Sequence, residues 1–282
     1  MTLPPRTWGA LLTAFGLAGC GVSVAQPISS GPGGTPDAEA PDSQGDAADP
    51  LSQGLVAYWK LDEQAPGDTV VDSSGRGHGG MAVNAPVPSA AVPPVRFQDR
   101  ASRSFDGVSQ YILVANNDDM NFSGEMTLAA WVNISTVTEG CHYIVAHGYC
   151  WQPPGEVALR IGAPGCGPGG ADHYWAAGSW LMAEHSAVAP LYDLDLKVWI
   201  HVAGVYDGQT WHLYRNGEEI ARQDSPVGAV PVASDWAIGA RAPGIAPCVP
   251  APVERFFDGL IDEVRIYHRA LGPAEILELY HQ

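Results

Sequence analysis

The sequence predicts an all-β fold, a sandwich or a barrel, with one short helix at its C-terminal end. Short segments rich in Val, Ile, Tyr and Trp recur along the chain, as they do in strands. Asp-Gly and Asn-Gly pairs, which favour tight turns, separate several of them. The apolar spacing of a helix does not occur until the end of the chain. Many short strands with little helix are typical of sandwiches and barrels.

The chain begins with a segment that is typical of an export signal. Arg6 precedes an uncharged apolar run over residues 8–19, which suits a signal peptide and is too short to span a bilayer. The run ends in Leu-Ala-Gly before Cys20, a pattern similar to a bacterial lipobox, where the peptide is cut before a cysteine that then carries lipid. We therefore predict a lipoprotein signal peptide over residues 1–19 and lipidation at Cys20. The alternative is an ordinary signal peptide that contains a cysteine.

Residues 20–53 are predicted to form a disordered acidic tether. From residue 21 to residue 53 the chain has no Lys, Arg or aromatic residue and is rich in Pro, Gly, Ser, Ala and Asp, so little apolar surface is available to offset the entropy of ordering. With the lipid anchor, this places the protein in the bacterial cell envelope, facing the periplasm or the cell exterior.

The folded domain is predicted to span residues 54–282, and its strands follow one another with short turns. The clearest hairpin signal is the strand, Asp-Gly, strand, Asn-Gly run over residues 198–222. At the end, Gly272 and Pro273 open a segment whose apolar spacing predicts one short packed helix. The predicted strands cover residues 54–62, 110–115, 126–135, 143–148, 157–163, 198–206 and 211–216.

The acidic composition excludes two kinds of partner. The formal net charge is -17, whereas nucleic-acid binding needs basic patches and adhesion to anionic lipid needs basic segments. We therefore expect no nucleic-acid partner, and membrane contact through the lipid anchor only.

The cysteines of the exported part predict two disulfides. Without Cys20, four of the 5 cysteines remain, none in a CxxC spacing typical of zinc, and four cysteines allow three connectivities. An extended strand between Cys141 and Cys150 would hold them ~30 Å apart, far beyond the ~4.4–6.8 Å between Cα atoms that a disulfide allows. If the next strand folds back antiparallel, Cys166 arrives beside Cys141, and Cys150 is left to pair with Cys248.

Several segments together resemble a known family. "GLVAYWKLDE", "VVDSSGRGHGG", "RSFDGVSQYILV", "MTLAAWVN", "VWIHVAGVYDGQTWHLYRNGEEIA", "AIGAR" and "FFDGLIDEVRIYHRAL" occur in this order. The set resembles the LamG-like jelly-roll family, which shares the concanavalin A-like lectin/glucanase sandwich. The resemblance implies two antiparallel sheets packed face to face, a binding or adhesion role that is often directed to glycans, and often a structural calcium ion.

Asp262 is the first candidate calcium ligand, because it lies on a predicted core-facing row where an unpaired carboxylate is costly. The resemblance implies that the first and last strands are neighbours with the ion between them. We therefore expect calcium to bind Asp62, Asp72 and Asp262, with carbonyl oxygens from the turn that reaches His78. Glu263, on the opposite face, is expected to be solvated. Alternatively, Asp262 accepts hydrogen bonds from a tight turn or pairs with an arginine.

Four aromatic residues in loop-like stretches are the candidate ligand contacts: Trp151, Tyr174, Trp175 and Trp180. Exposed aromatic faces stack on sugar rings or on side chains of a partner. The alternative is that these residues only cover the edge of the sandwich.

The sequence favours binding over catalysis. Glycanases on this sandwich carry a Glu-x-Asp-x-x-Glu strand, and no such run occurs here; Asp193 and Asp195 alternate without a Glu partner. We therefore predict a non-catalytic module that binds a glycan or a cell-surface protein. The rival interpretations are a hydrolase on the same sandwich and a structural envelope domain without a defined ligand.

Overall fold

The computed structural model describes residues 49–64, 67, 69–152, 154–163, 166, 172–246, 248 and 253–282. These residues belong to one compact unit, Asp46–Gln282. Within them, no helix has the length and apolar character needed to cross a membrane. The predicted signal peptide, Cys20 and most of the predicted tether lie outside the described residues, so these three features remain predictions.

Two antiparallel sheets of eight strands each make up the described part of the fold, with strands numbered β1–β16 in chain order. The first sheet contains β1 Leu55–Trp59, β4 Val87–Ser89, β5 Ser102–Asp106, β7 Met126–Ile134, β12 Trp199–Tyr206, β13 Thr210–Arg215, β14 Glu218–Asp224 and β16 Asp258–Tyr267. The second contains β2 Thr69–Val70, β3 Gly80–Val83, β6 Tyr111–Val114, β8 Cys141–Trp151, β9 Pro154–Gly162, β10 Tyr174–Trp180, β11 Glu184–Pro190 and β15 Trp236–Ile238.

The strand order of each sheet is that of a jelly-roll sandwich. The first sheet runs β14-β13-β12-β7-β16-β5-β4, with β1 also paired to β16, and the second runs β11-β10-β9-β8-β15-β6-β3-β2. One helix, α1 Pro273–His281, follows the last strand. The predicted all-β, two-sheet antiparallel jelly-roll sandwich with a short C-terminal helix is therefore confirmed. The neighbouring first and last strands that the resemblance implied are also present.

The predicted hairpins follow from their turn residues. β12 pairs with β13, and β13 pairs with β14, both antiparallel. Gly208 and Gly217 adopt φ angles of 97° and 81° at the two turns, a backbone region that glycine enters without steric cost.

The main core lies between the two sheets, where alternate residues of each strand meet. Trp59, Trp175, Trp211 and Trp236 are its largest side chains. A second apolar cluster lies on the other face of the first sheet, where Ile276 and Leu279 of α1 pack. The helix therefore covers that face of the first sheet, whereas the second sheet carries a groove on its outward face.

Candidate ligand groove and carboxyl cluster

A groove of about 360 Å³ lies on the outward face of the second sheet. Val157, Leu159 and Ile161 of β9 point into the main core, so the alternating residues Glu156 and Arg160 point outward. The groove is lined by Cys141, Tyr143, Tyr149, Trp151, Glu156, Arg160, Cys166, Trp180, Glu184, Arg241 and Arg255.

Strand register places the charged and aromatic groove residues side by side. Trp180 of β10 is paired with Glu156 of β9 on one side and with Glu184 of β11 on the other. Two positions along, Gly178 lies between Ala158 and Ser186, and a Cβ added at Gly178 would lie 2.2 Å from the Ser186 Oγ atom. The three strands therefore pack closely at this position, and the larger side chains beside it line the groove.

The groove lining carries a stack of exposed aromatic rings. The Trp151 and Trp180 rings stack with centroids 5.7 Å apart and planes inclined by 23°. Tyr149 contacts the same Trp180 ring at 5.2 Å between centroids. Trp151, at the end of β8, is 63% exposed, so its outer face is open to a ligand.

Buried charges lie beside this stack. Arg160, whose side chain is 4% exposed, donates to Glu184 at 2.9 Å. Arg241 lies 3.7 Å from Glu156, whose side chain is 7% exposed. The Glu156 Oε1 atom and the Arg160 Nε atom are buried without a hydrogen-bond partner among the described residues. Buried polar atoms of this kind are rare in native proteins, and here they face a groove that a polar ligand can enter.

Tyr143 is a buried residue of the groove lining and lies beside Arg160 and Arg255. Burial raises the pKa of its hydroxyl well above the usual range, and the nearby Glu156 charge acts in the same direction. The Tyr143 ring lies 5.9 Å from the Arg160 guanidinium and 5.7 Å from that of Arg255. Tyr143 therefore stays neutral and acts as a hydrogen-bonding group within a cluster of arginines.

Disulfides fix both ends of the groove. Cys141 is joined to Cys166 with 5.0 Å between Cα atoms, and Cys150 to Cys248 with 5.6 Å. The predicted pairing is confirmed. Its premise also holds, because β8 and β9 are antiparallel, with Cys141 opposite Gly162.

The second site is a group of carboxyls beside β16. Asp262 is fully buried, and its Oδ1 atom accepts a hydrogen bond from the Glu263 backbone N–H. The Asp99 carboxyl lies within hydrogen-bonding reach of both Asp262 and Asp62. The Asp262 Oδ2 atom and both Asp99 carboxyl oxygens are buried without a partner among the described residues. Carboxylates only accept hydrogen bonds, so these neighbours satisfy one another only through a shared proton or a cation.

The electrostatics of this carboxyl cluster, Asp62, Asp99 and Asp262, oppose full ionisation. Burial, then the charges of Asp99 and Glu263, raises the pKa of Asp262 to about 10. Burial, then the charges of Glu263 and Asp62, raises the pKa of Asp99 to about 6.

Glu263 is not solvated, so this expectation is wrong. Its φ angle is 51°, and the pairing of β16 with β7 shifts between Asp262 and Arg265. Glu263 is buried on the face of the first sheet that points away from the main core, where its carboxylate binds Arg265 at 2.8 Å and the Tyr58 hydroxyl.

The expected four-residue calcium set does not come together. The Asp72 carboxylate accepts hydrogen bonds from the backbone N–H groups of Tyr58, Ser74 and His78, each at 2.9–3.0 Å. Burial raises the pKa of Asp72, but these backbone hydrogen bonds outweigh it, and the net shift is downward.

The His78 side chain is engaged separately from the carboxyl cluster. Its imidazole contacts Asp119 at 2.9 Å and Asn117 at 2.8 Å. Asp72 and His78 thus have partners of their own, while Asp62 and Asp262 share Asp99. In the part of the chain that the structure describes, no group of three or more His, Cys, Asp or Glu side chains forms a ready-made metal cluster.

Comparison with known proteins identifies the family. A family model described as Laminin_G_3, of the concanavalin A-like lectin/glucanases superfamily, matches residues 106–277. The chain belongs to the concanavalin A-like lectin/glucanases superfamily. This confirms the resemblance inferred from the sequence. No curated protein matches the chain by sequence.

Solved structures with the same superfamily fold include binding domains and parts of enzymes. Domain 4 of AbnA, a GH43 extracellular arabinanase from Geobacillus stearothermophilus, in complex with arabinotriose, is 19% identical with a TM-score of 0.57, covering 80% of this chain and 98% of that one. The binding domain of Paraclostridial Mosquitocidal Protein 1 is 15% identical with a TM-score of 0.59, covering 82% of this chain and 52% of that one. A Trypanosoma rangeli sialidase in complex with 2,3-difluorosialic acid is 18% identical with a TM-score of 0.53, and the match covers 80% of this chain and 33% of that one.

Two of the four predicted aromatic contacts, Tyr174 and Trp175, are buried and do not belong to the groove lining. Tyr174, Trp175 and Trp180 lie in strand β10 rather than in loops. Trp175 points into the main core, where its Nε1 atom donates to Asp195 at 3.3 Å. Tyr174 is buried with the Cys141–Cys166 disulfide. Trp151 and Trp180 remain as groove residues.

Sequence reasoning missed the charged groove residues. Glu156 and Arg160 stand at alternating positions among the apolar residues of "GEVALRIG", a signal for a strand with one polar face. Arg241 and Arg255 come from segments distant in sequence, and only the fold brings them to the groove.

Proposed function

We propose that this protein is an exported, non-catalytic carbohydrate-binding module and that its glycan site is the groove on the second sheet. The observation that carries the proposal is the exposed Trp151–Trp180 stack beside buried, incompletely hydrogen-bonded charges. Protein sites for polyhydroxylated ligands need both features, because a sugar ring has apolar C–H faces and a rim of hydroxyl groups.

The groove chemistry suits a sugar ring in two ways. The outer face of Trp151 offers an apolar surface for C–H groups, and the buried Glu156 Oε1 atom is an acceptor for a hydroxyl donor. A hydrogen bond to a charged group is worth ~1.5–3 kcal/mol, and a ligand hydroxyl would supply the hydrogen bond that Glu156 Oε1 lacks beside its 3.7 Å contact with Arg241. The two disulfides restrain the groove before binding, which lowers the ordering cost.

Two features favour binding over hydrolysis. Glu156 and Glu184 flank Trp180 on neighbouring strands, so their Cα atoms are ~9–10 Å apart by strand spacing. However, Glu184 is ion-paired with Arg160, and Glu156 lies 3.7 Å from Arg241, so both are engaged as carboxylates. Glycoside hydrolysis needs one carboxylic acid that donates a proton. The arabinotriose complex of an AbnA domain with the same fold supports the binding alternative.

Glycan-array binding of the purified full chain tests the site. Trp151→Ala and Trp180→Ala should each weaken binding of the best array glycan about tenfold, the ~1.4 kcal/mol expected for an aromatic contact at the centre of an interface. Tyr192→Ala, an exposed aromatic outside the groove, is the matched control. Undiminished binding by both tryptophan variants would place the ligand elsewhere, and release of shortened glycan by the wild type would make the protein an enzyme.

We also propose a structural calcium ion held by Asp62, Asp99 and Asp262, which it would draw closer together than the described structure holds them. The unpartnered buried oxygens of Asp99 and Asp262 support it, because they are hard oxygen donors, and a divalent cation would remove their mutual repulsion. When bound, calcium would supply positive charge between the first and last strands. Asp72 and His78 are left out of this set because other groups already satisfy them. Calcium titration followed by thermal melting tests the proposal.

The envelope location is a proposal that rests on the N-terminal sequence. The Leu-Ala-Gly-Cys run ending at Cys20 and the acidic stretch after it support a lipid-anchored protein whose module reaches a glycan or a cell-surface protein. Membrane fractionation of Cys20→Ser tests the anchor.

A further inference from the structure

Three guanidinium groups gather at the tyrosine end of the groove. Arg160 and Arg255 flank Tyr143, and the Arg241 guanidinium lies 4.6 Å from the centroid of the Tyr149 ring. Cations pack on aromatic faces in this way because the ring quadrupole attracts them. This concentration of positive charge is notable in a chain whose formal net charge is -17.

The counter-ions of these arginines are not equivalent. Glu184 binds Arg160, and Glu156 faces Arg241, and both of these carboxylates belong to the groove lining. Neither carboxylate of the groove lining forms an ion pair with Arg255. Its partner is Glu254, whose Oε1 atom also accepts a hydrogen bond from Arg241. The lining therefore holds three arginines and two glutamates, an excess of one positive charge that is balanced from outside the groove.

Arg255 is also the accessible member of the group and is held in an unusual backbone conformation. Its side chain is 36% exposed, against 9% for Arg241 and 4% for Arg160. Its φ angle is 64°, a left-handed conformation that is uncommon for a residue with a side chain. Its Nη1 atom donates to Cys141 Sγ at 3.1 Å and to the Tyr143 hydroxyl at 3.2 Å. Strained positions fixed by several contacts cluster at ligand sites.

We propose that the groove selects acidic sugars, with the ligand carboxylate bound by Arg255 and Arg241 in the place of the Glu254 carboxylate. This inference rests on the proposed glycan-binding function. Glu254 shows that the two arginines accept a carboxylate, and its side chain is 41% exposed, so it can swing into solvent as the ligand enters. Glu254 then acts as an internal competitor that keeps Arg241 paired in the free protein. The Trp151–Trp180 stack holds the neighbouring ring, whatever its charge.

Matched acidic and neutral probes test this selection. The purified full chain is titrated calorimetrically with trigalacturonic acid and with its carboxyl-reduced counterpart, galactotriose, and with 3′-sialyllactose and lactose. At least one acidic probe should bind about tenfold more tightly than its neutral counterpart, the factor for one charge-assisted hydrogen bond. The difference should shrink as salt is raised, since exposed charges are screened.

Three variants separate the role of Arg255 from a structural effect. Arg255→Gln should remove the preference for the acidic probe and leave neutral binding within about twofold, and Arg255→Lys should retain part of it. Glu254→Gln should strengthen acidic binding because the competitor loses its charge. Arg76→Gln, on an exposed arginine outside the groove lining, is the control and should change nothing.

The outcomes distinguish this inference from the proposed function. Equal affinity for acidic and neutral probes, with loss of both in Trp180→Ala, would overturn the selection and leave glycan binding intact. Equal weakening of both probes by Arg255→Gln would also overturn it. If no acidic or neutral glycan binds, on the array or in solution, the proposed function and this inference fail together.

Discussion

Replacing Asp262 with Asn tests whether the buried carboxyl cluster holds a calcium ion. Without an ion, the pKa of Asp262 is raised to about 10 and that of Asp99 to about 6, both from the ordinary 3.8, by burial and by neighbouring carboxylates. A group whose pKa is higher in the folded state stabilises the fold at low pH, and this stability is lost as pH rises through the folded pKa. In chelator, the melting temperature should therefore fall as pH rises from about 4 toward 10 because of Asp262, and most steeply up to about pH 6, where Asp99 contributes as well.

The size of the calcium effect follows from linkage. An ion at about 100 times its Kd that binds only the folded state adds ~2.7 kcal/mol. For a folded unit of this length, each kcal/mol shifts the melting temperature by ~2–4 °C. Saturating calcium should therefore raise the melting temperature by roughly 5–10 °C. The shift should grow with pH, because the ion competes with protons for the same carboxyls.

Differential scanning calorimetry between pH 5 and 9, with chelator or calcium, measures this. Asp262→Asn is nearly isosteric and does not titrate, so in chelator at pH 7 it should melt above the wild type, whose Asp262 must take up a proton on folding. It should gain nothing from calcium. Asp193→Asn, an exposed aspartate outside the cluster, should keep the full calcium shift. A wild-type melt that calcium and chelator leave unchanged at every pH would refute the calcium proposal.

Three further predictions concern the core, a disulfide and the anchor. Trp175→Ala should lower the free energy of unfolding by ~3–5 kcal/mol, because it removes a fully buried core side chain; a loss below 1 kcal/mol in urea unfolding would contradict its core position. Replacing Cys150 and Cys248 together by Ala should cost up to ~4.7 kcal/mol from a loop of 98 residues; chemical denaturation measures it, and an unchanged midpoint would mean that the bridge does not constrain the unfolded chain. Cys20→Ser should move the protein from the membrane to the soluble fraction; a variant still bound to membranes would exclude the lipid anchor.

Local patterns in the sequence were enough to predict an all-β sandwich or barrel, and the family resemblance narrowed this to a two-sheet jelly roll. Strand residues alternate, and the Asp-Gly and Asn-Gly turns fix where the chain reverses, so the β12–β13–β14 hairpins are encoded within a short stretch. The helix start at Pro273 is likewise local. The disulfide pairing could be predicted because the strand length excludes the Cys141–Cys150 bridge and an antiparallel return of the next strand brings Cys166 beside Cys141.

The binding residues were harder to predict, because the face to which a side chain points depends on whether its position in the strand is odd or even. Trp175 and Trp180 are five residues apart, so in a strand they point to opposite faces. Their small neighbours, Ala176, Ala177, Gly178 and Ser179, carry no apolar alternation from which the strand or its faces could be assigned. The two tryptophans therefore looked equivalent in the sequence, although one belongs to the core and the other to the groove.

The error at Glu263 has a different cause. A regular strand would have placed Asp262 and Glu263 on opposite faces, as predicted. One residue in the left-handed conformation makes a bulge, the alternation of faces is interrupted, and both carboxyls are buried. The Glu263 carboxylate at the bulge is bound by Arg265 and by Tyr58, and Tyr58 lies on β1, 205 residues away in the sequence. No window of sequence around Glu263 contains that partner.

The disulfides lie near the groove and outside the main core of the sandwich. The main core between the sheets contains no cysteine among the described residues, whereas each disulfide lies in a small apolar cluster of its own outside that core. Cys141–Cys166 contributes directly to the groove lining, and Cys150–Cys248 ties down the strand end that carries Trp151. Covalent bonds thus restrain the ligand surface where packing alone provides few contacts. Because Glu156 and Arg160 point away from the core, they can be replaced without changing the apolar residues that hold the sandwich together.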